Sequence, residues 1–290
     1  MIGSSIIDET LRKHGIPEWV KPYIISYARS NPVRAVKYAS SFIATGRRKG
    51  MITKNEIKLP NGHVFRKGDI MRMLYLFYYG EERISKMSEK WATESPKIDR
   101  EYAKHFREVS GVESRHARAI KNVIEGFGKG SWKPSKEFVE VFDFVEGLKD
   151  CHERLIAKRI VFWYSYRVSF GVVFYRVFYP VAPELLRSVG KIFKGENAQE
   201  LLGDNEVKEI IKSGKISKDR LRWLARQILA RIYNSIQAEM PLARKAKVEK
   251  EAQLLCDISL ASPLHVLNEM DAGLDVEEEL KEIKRLAAQL

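Results

Sequence analysis

Glu113 and His116 stand three residues apart in the stretch EVSGVESRHARAIKNVIEGFG, inside a series that is otherwise apolar. Tyr102, Phe106, Val109, Ala117, Ile120 and Ile124 recur at the helical spacing of three and four, and Glu113 and His116 fall in the same series. A carboxylate and an imidazole are therefore aimed at a core. An unpaired buried carboxylate costs several kcal/mol, so the pair needs hydrogen-bond partners or a cation. Residues three apart on a helix project side by side, which lets a carboxylate oxygen and a neutral imidazole nitrogen reach one metal ion from one rigid element.

The preceding segment, DIMRMLYLFYYGEERISKMSEKWA, supplies a second carboxylate of the same kind. Met71, Leu74, Phe77, Tyr78, Ile84, Ser85 and Ser88 form one stripe, and Glu81 lies inside it. Glu82 aligns instead with Tyr79, Lys86 and Glu89 and reads as solvated. Glu81 and Glu113 are 32 residues apart, and the SPK sequence between Glu94 and Ile98 provides a turn. Two antiparallel helices joined there would bring both carboxylates to one height.

On Glu81, Glu113 and His116 the chain resembles the ferritin-like di-iron carboxylate superfamily, in which a Glu on one helix and a Glu-x-x-His on the next form half of a dinuclear site. The resemblance implies a Glu on a third helix and a second Glu-x-x-His on a fourth. Glu153 is the third-helix candidate, on a stripe with Phe142, Val145, Ile156, Ile160 and Trp163, with Glu146 and His152 as alternates. Glu184 is the fourth-helix candidate, but Arg187 occupies the position of the His, and an arginine cannot bind a metal. Glu239 is a second option with Leu242 where the His would stand, and His265 is a more distant nitrogen. The resemblance covers about residues 66 to 195 or 250. It implies iron or manganese at Glu81, Glu113, His116, Glu153 and Glu184, and oxygen-activating oxidation or hydroxylation.

These residues need helices to hold them, and the rest of the chain reads accordingly. The expected fold is mainly α: a ferritin-like antiparallel four-helix bundle with extra N- and C-terminal helices and one small β-hairpin. Residues 1–65 read as an N-terminal helical segment, broken at Pro17, Pro22 and Pro32, that ends in the hairpin ITKNEIKLPNGHVFRKG with Asn61 and Gly62 at its turn. Residues 66–195 read as the bundle and 196–290 as a helical extension that completes it or follows it. KGENAQELLGDNE, Lys194 to Glu206, reads as the linker between them. The C-terminal VEEELKEIKRLAAQL reads as a charged amphipathic helix that docks back or pairs with a partner.

With 290 residues, of which 44% are hydrophobic, the chain can bury one large core or two modest ones. The formal net charge of +13 fits an anionic partner, whether nucleic acid such as RNA, an anionic membrane surface or a polyanionic substrate, and charge alone does not choose among them; a homodimer is also compatible. Arg47, Arg48 and Lys49, together with the ridge of Lys218, Arg222 and Arg226, are the candidate nucleic-acid contacts. Val161 to Val181 is long enough to span a bilayer, but Arg167 and Arg176 interrupt it, so it reads as a buried helix and a membrane location as unlikely. The N-terminus shows no basic region followed by a long apolar run, and Cys151 and Cys256 lack CxxC spacing, so the expected compartment is the cytoplasm. The alternative to a metalloenzyme is a non-catalytic basic helical protein that binds nucleic acid, its core charges paired and no metal present.

Overall fold

Two 28-residue helices, α2 (Lys67–Glu94) and α3 (Arg100–Phe127), run antiparallel along their whole length and carry the candidate site between them. They belong to a computed structural model that describes residues 18–30, 52–53, 56–58, 64–94, 100–127, 132–164, 197–245, 247 and 249–290. The described part is mainly helical. A 3-10 turn (Glu18–Val20) leads into α1 (Lys21–Ser30). After α3 come α4 (Lys136–Gly147), α5 (Cys151–Lys158) with a π-helical continuation (Arg159–Tyr164), α6 (Asn197–Lys212), α7 (Lys218–Lys245), α8 (Glu249–Glu269) and α9 (Val276–Ala287). A small antiparallel sheet of β1 (Ile52–Thr53), β2 (Glu56–Lys58) and β3 (Val64–Arg66) precedes α2, with Ile57 opposite Phe65. The turn read at Asn61 and Gly62 lies outside the described residues.

Local chemistry sets the helix ends. At the start of α2 the Asp69 carboxylate reaches back to accept from the Arg66 backbone N–H at 3.3 Å. Ser135 caps α4 by accepting from the Phe138 N–H, and Asp150 caps α5 by accepting from the N–H groups of His152 and Glu153. That cap divides what periodicity suggests is one helix from Glu137 to Trp163: Leu148 is extended, and the chain restarts at Asp150. Pro22 does not break α1 but sits in its first turn, where a missing N–H costs nothing. The expected linker at Lys194 to Glu206 is helical from Asn197 onward, because α6 buries Val207 and Ile210 against α5 and the π turn.

The core is continuous from Ile84 on α2 to Ala287 on α9, so α6 to α9 pack in the same interior as α2 to α5. At one end of the α2–α3 pair, Trp91 and Phe106 meet edge to face at 5.2 Å and join that interior. α7 is the helix that most others touch: it packs on α4, α5, the π turn, α8 and α9 through Leu221, Leu224, Ile228 and Ile232. α5 is enclosed on every side, since each residue from Arg154 to Val161 is buried. Among the described residues no helix is long and apolar enough to cross a membrane, and most of Val161 to Val181, including Arg167 and Arg176, lies outside them.

α9 docks back on α7 through Ile283, Ala287 and an ion triad. Arg226 grips Glu279 with both nitrogens, at 2.6 and 3.0 Å, and the Arg222 Nε stands 3.2 Å from the same carboxylate. Glu279 is buried, so its removal leaves two cations facing each other at a helix seam. Glu279→Ala should lower the free energy of unfolding by on the order of 2 kcal/mol in urea titrations; a loss below about 0.5 kcal/mol would mean that water serves the two arginines equally well.

Candidate metal centre

The antiparallel register of α2 and α3 decides what meets what. The Ser85 hydroxyl on α2 donates to the Ser110 carbonyl on α3 at 3.0 Å, which fixes the two helices in alignment near their midpoints. One turn earlier on α2 and one turn later on α3, the same register brings Glu81 opposite Glu113 and His116. His116 Nδ1 lies 3.1 Å from Glu113 Oε2 and 3.5 Å from Glu81 Oε2. The three side chains offer ligand atoms that all fall within 4.8 Å of one another. Their side chains are 22%, 14% and 10% exposed for Glu81, Glu113 and His116, so the cluster sits in the wall of the hairpin rather than on its surface.

The charges in this cluster are not independent. Burial, and after it the facing Glu113 carboxylate, pushes Glu81 well above the ordinary value of 4.5. Burial also works against ionised Glu113, but its hydrogen bonds with His116 and Glu81 outweigh that and hold it below 4.5, with Lys158 adding to the effect. For His116 burial again opposes the charge, yet the two carboxylates prevail and lift the ring from 6.5 to about 10. With no metal bound, the proton therefore favours His116 and, after it, Glu81, while Glu113 is the carboxylate that stays ionised. Glu81 Oε2 is buried and meets no hydrogen-bond geometry among the described residues; His116 Nδ1, at 3.5 Å, is its nearest charged neighbour in the cluster.

The same atoms suit a single metal ion. Neighbouring ligands of an octahedral ion at about 2.1 Å stand about 3 Å apart, close to the 3.1 and 3.5 Å separations at His116 Nδ1. Two carboxylates and one imidazole form a donor set for manganese, iron or zinc. The other described residues of the expected dinuclear set and its alternates lie elsewhere. Glu153 is clamped by Arg220, at 2.5 Å to Nε and 3.0 Å to Nη2, and does not join the cluster. Glu146 pairs with Arg83 and Lys90 across the α2–α4 seam. Glu239 faces Arg72 at 2.8 Å, and Arg72 is nine residues before Glu81 on α2, roughly 13 Å along the helix. His265 stacks on Trp19, with ring centroids 4.5 Å apart. Glu184 and Arg187 lie outside the described residues.

Asp150, Cys151 and His152 also gather near the start of α5, but Asp150 is the helix cap and Cys151 is buried. Sequence reasoning did not single out Lys158, which proves to be a buried lysine whose charge acts to lower Glu113. The signal available for it was the apolar company on both sides of the Lys158–Arg159 pair, Leu155, Ile156 and Ala157 before it and Ile160 and Val161 after it. Of the basic ridge on α7, Arg222 and Arg226 are engaged by Glu279, and only Lys218 is left on the exposed end of the helix. Arg47, Arg48 and Lys49 lie outside the described residues. Comparison with protein-family models, with curated proteins and with solved structures finds no match for this chain.

The raised His116 has a pH signature. A group whose value rises from 6.5 to about 10 on folding stabilises the fold fully below pH 6.5 and stops doing so as pH climbs through 10. Glu81 acts in the same sense from a lower pH, and Glu113 in the opposite sense only in acid. The metal-free protein should lose stability between pH 6.5 and 10. His116→Gln should flatten that slope in chelator-treated samples followed by circular dichroism, and an unchanged slope would place the proton elsewhere.

Proposed function

We propose that Glu81, Glu113 and His116 bind one divalent transition-metal ion, manganese or iron, and that the protein is a metal-dependent oxidoreductase or hydroxylase of ferritin-like architecture. The observation that carries the reading is the meeting of two half-buried carboxylates and a buried imidazole from two helices, at ligand spacing, with a buried Glu81 oxygen that lacks a hydrogen bond. Such an ion, when bound, would supply redox and Lewis-acid chemistry at positions that the protein does not fill. The chain's own contribution is to fix the donors. The Ser85–Ser110 link holds the register, and the Trp91–Phe106 contact anchors one end of the hairpin to the core. The neutral tautomer that presents Nδ1 to an ion keeps its proton on Nε2.

Metal entry must displace the His116 proton and competes with protonation of Glu81, so uptake and proton release are coupled. The bundle arrangement of α2, α3 and α5, with a fourth helix from the segment around Glu184, belongs to this proposal. An anionic substrate or partner such as RNA is favoured by the net charge of +13. Its contacts then fall to Lys218 and to basic residues outside the described part, because Arg222 and Arg226 already hold α9. The competing reading, a metal-free charged cluster in a nucleic-acid-binding protein, draws support from the 3.1 Å His116–Glu113 contact, which closes as an ion pair without any metal.

Titrating the chelator-treated chain with Mn²⁺ separates the two readings. One ion per chain should bind and release protons near pH 7, at least the one held by His116, measured in a weakly buffered solution. His116→Ala should weaken binding by about tenfold to a hundredfold. Absence of saturable Mn²⁺ and Fe²⁺ binding would leave the metal-free reading standing.

A further inference from the structure

The solvent side of α3 carries a row of cations that no carboxylate of the same helix answers. Lys104, Arg107, Arg115 and Arg118 recur at the three- and four-residue spacing of one helix face, with Lys121 on its flank, and all are exposed. The row lies on the side of α3 turned away from Glu113 and runs about 26 Å along the axis. Among the described residues Lys104, Arg107, Arg115 and Arg118 form no ion pair or side-chain hydrogen bond, and Lys121 acts on Glu82 of α2 through its field. Glu108 stands at the edge of the row and Glu125 at its end. Between those two, every exposed charge on α3 is positive.

Solvated faces of the other helices are built differently. Lys86 pairs with Glu82 on α2, Lys136 with Glu140 on α4, Arg222 with Asp219 on α7 and Arg285 with Glu282 on α9, each within about one turn. On α3 the neighbours at that spacing are like charges: Lys104 with Arg107, Arg115 with Arg118, and Arg118 with Lys121. Such pairs weaken a helix. Gly111, in the middle of the row, weakens it further, because glycine is a poor helix former. Packing does not call for it, since an added Cβ would meet only Arg115 Nη1, at 3.8 Å, which is ordinary contact. A self-repelling row with bare backbone at its centre is stabilised by a polyanion that approaches closely.

The make-up of the row selects the polyanion. The exposed large apolar side chains among the described residues are Trp223 and Leu290, and neither is on α3. Single strands are held by bases stacked on aromatic rings, and a bilayer surface is held by apolar side chains that enter it. The apolar face of α3, with Phe106, Val109, Ala117, Ile120 and Ile124, is buried. Phosphate contact is what the row can offer, and that is the sequence-independent mode in which a duplex is held. We propose that the outer face of α3 is a docking surface for a nucleic-acid duplex, with a phosphate backbone lying along Lys104, Arg107, Arg115, Arg118 and Lys121 and passing close over Gly111. This rests on the anionic-partner part of the reading above and is independent of the metal site.

The full chain, treated with chelator, is titrated over a range of salt concentrations against labelled short RNA and DNA duplexes, a single strand of the same sequence, and vesicles containing phosphatidylserine. Duplex should bind, with a log–log salt slope of magnitude about 0.9 per phosphate contact. Arg115→Gln combined with Arg118→Gln should lower that magnitude by roughly two. Lys245→Gln combined with Lys281→Gln removes the same charge from exposed positions on α7 and α9 and should leave the slope unaltered. Gly111→Gln, which covers the backbone without changing the charge, should weaken binding several-fold and leave the melting temperature no lower. Equal flattening by the two double variants, full affinity in Gly111→Gln, no duplex binding at low salt, or a preference for vesicles or the single strand would each overturn the docking surface. The readout involves no metal, so failure here leaves the Glu81–Glu113–His116 reading in place, and failure of that reading leaves this one.

Discussion

Two carboxylates facing one imidazole across a helix seam cannot all be left to themselves, and the arrangement of α2 and α3 turns on how that charge is answered. Glu81 and Glu113 repel, and burial removes the water that would screen them. The raised proton affinity of Glu81 and of His116 answers that conflict in the metal-free chain, and a divalent ion would answer it in their place. Either solution depends on register. The Ser85–Ser110 link and the Trp91–Phe106 contact fix the hairpin on one side of the cluster, and a one-turn slip would separate the ligands by about 5 Å.

Other buried charges in the protein follow a simpler logic. Arg154 meets Glu94 at 2.5 Å while its guanidinium lies over the Trp91 ring, Arg159 meets Asp204, and Glu279 meets two arginines. Each of these joins elements distant in sequence: α2 to α5, the π turn to α6, and α7 to α9. They act as fixed points for orientation, since breaking a buried pair costs more than the pair contributes. The Glu81–Glu113–His116 cluster differs because its like charges require a mobile partner, a proton or a metal ion, and that difference separates a functional candidate from a structural clamp.

Much of this was legible in the sequence because helical spacing is a direct record of which side chains share a face. The stripes through Phe106, Val109, Ile120 and Ile124 and through Leu221, Leu224, Ile228 and Ile232 correspond to buried faces, and the 32-residue separation of Glu81 and Glu113 translated into a meeting across a hairpin. Periodicity says nothing about which opposite charge will reach a given residue. Glu153 has the spacing of a core ligand, yet Arg220, 67 residues away, takes it. Arg222 and Arg226 have the spacing of a solvated ridge, and their partner Glu279 comes from a helix 53 residues beyond Arg226. Lys158 was hidden for the same reason, because a lysine in an apolar run is read as a break in a face, although here every face of the helix is covered.

X-ray absorption spectroscopy on the manganese-loaded chain tests the central claim most directly. The account predicts a first shell of oxygen and nitrogen donors at about 2.1 to 2.2 Å with the multiple-scattering signature of one imidazole, absent from His116→Ala, and no metal–metal vector at about 3.5 to 4 Å. A metal–metal vector, or a shell without imidazole in the wild type, would contradict a single ion held by Glu81, Glu113 and His116.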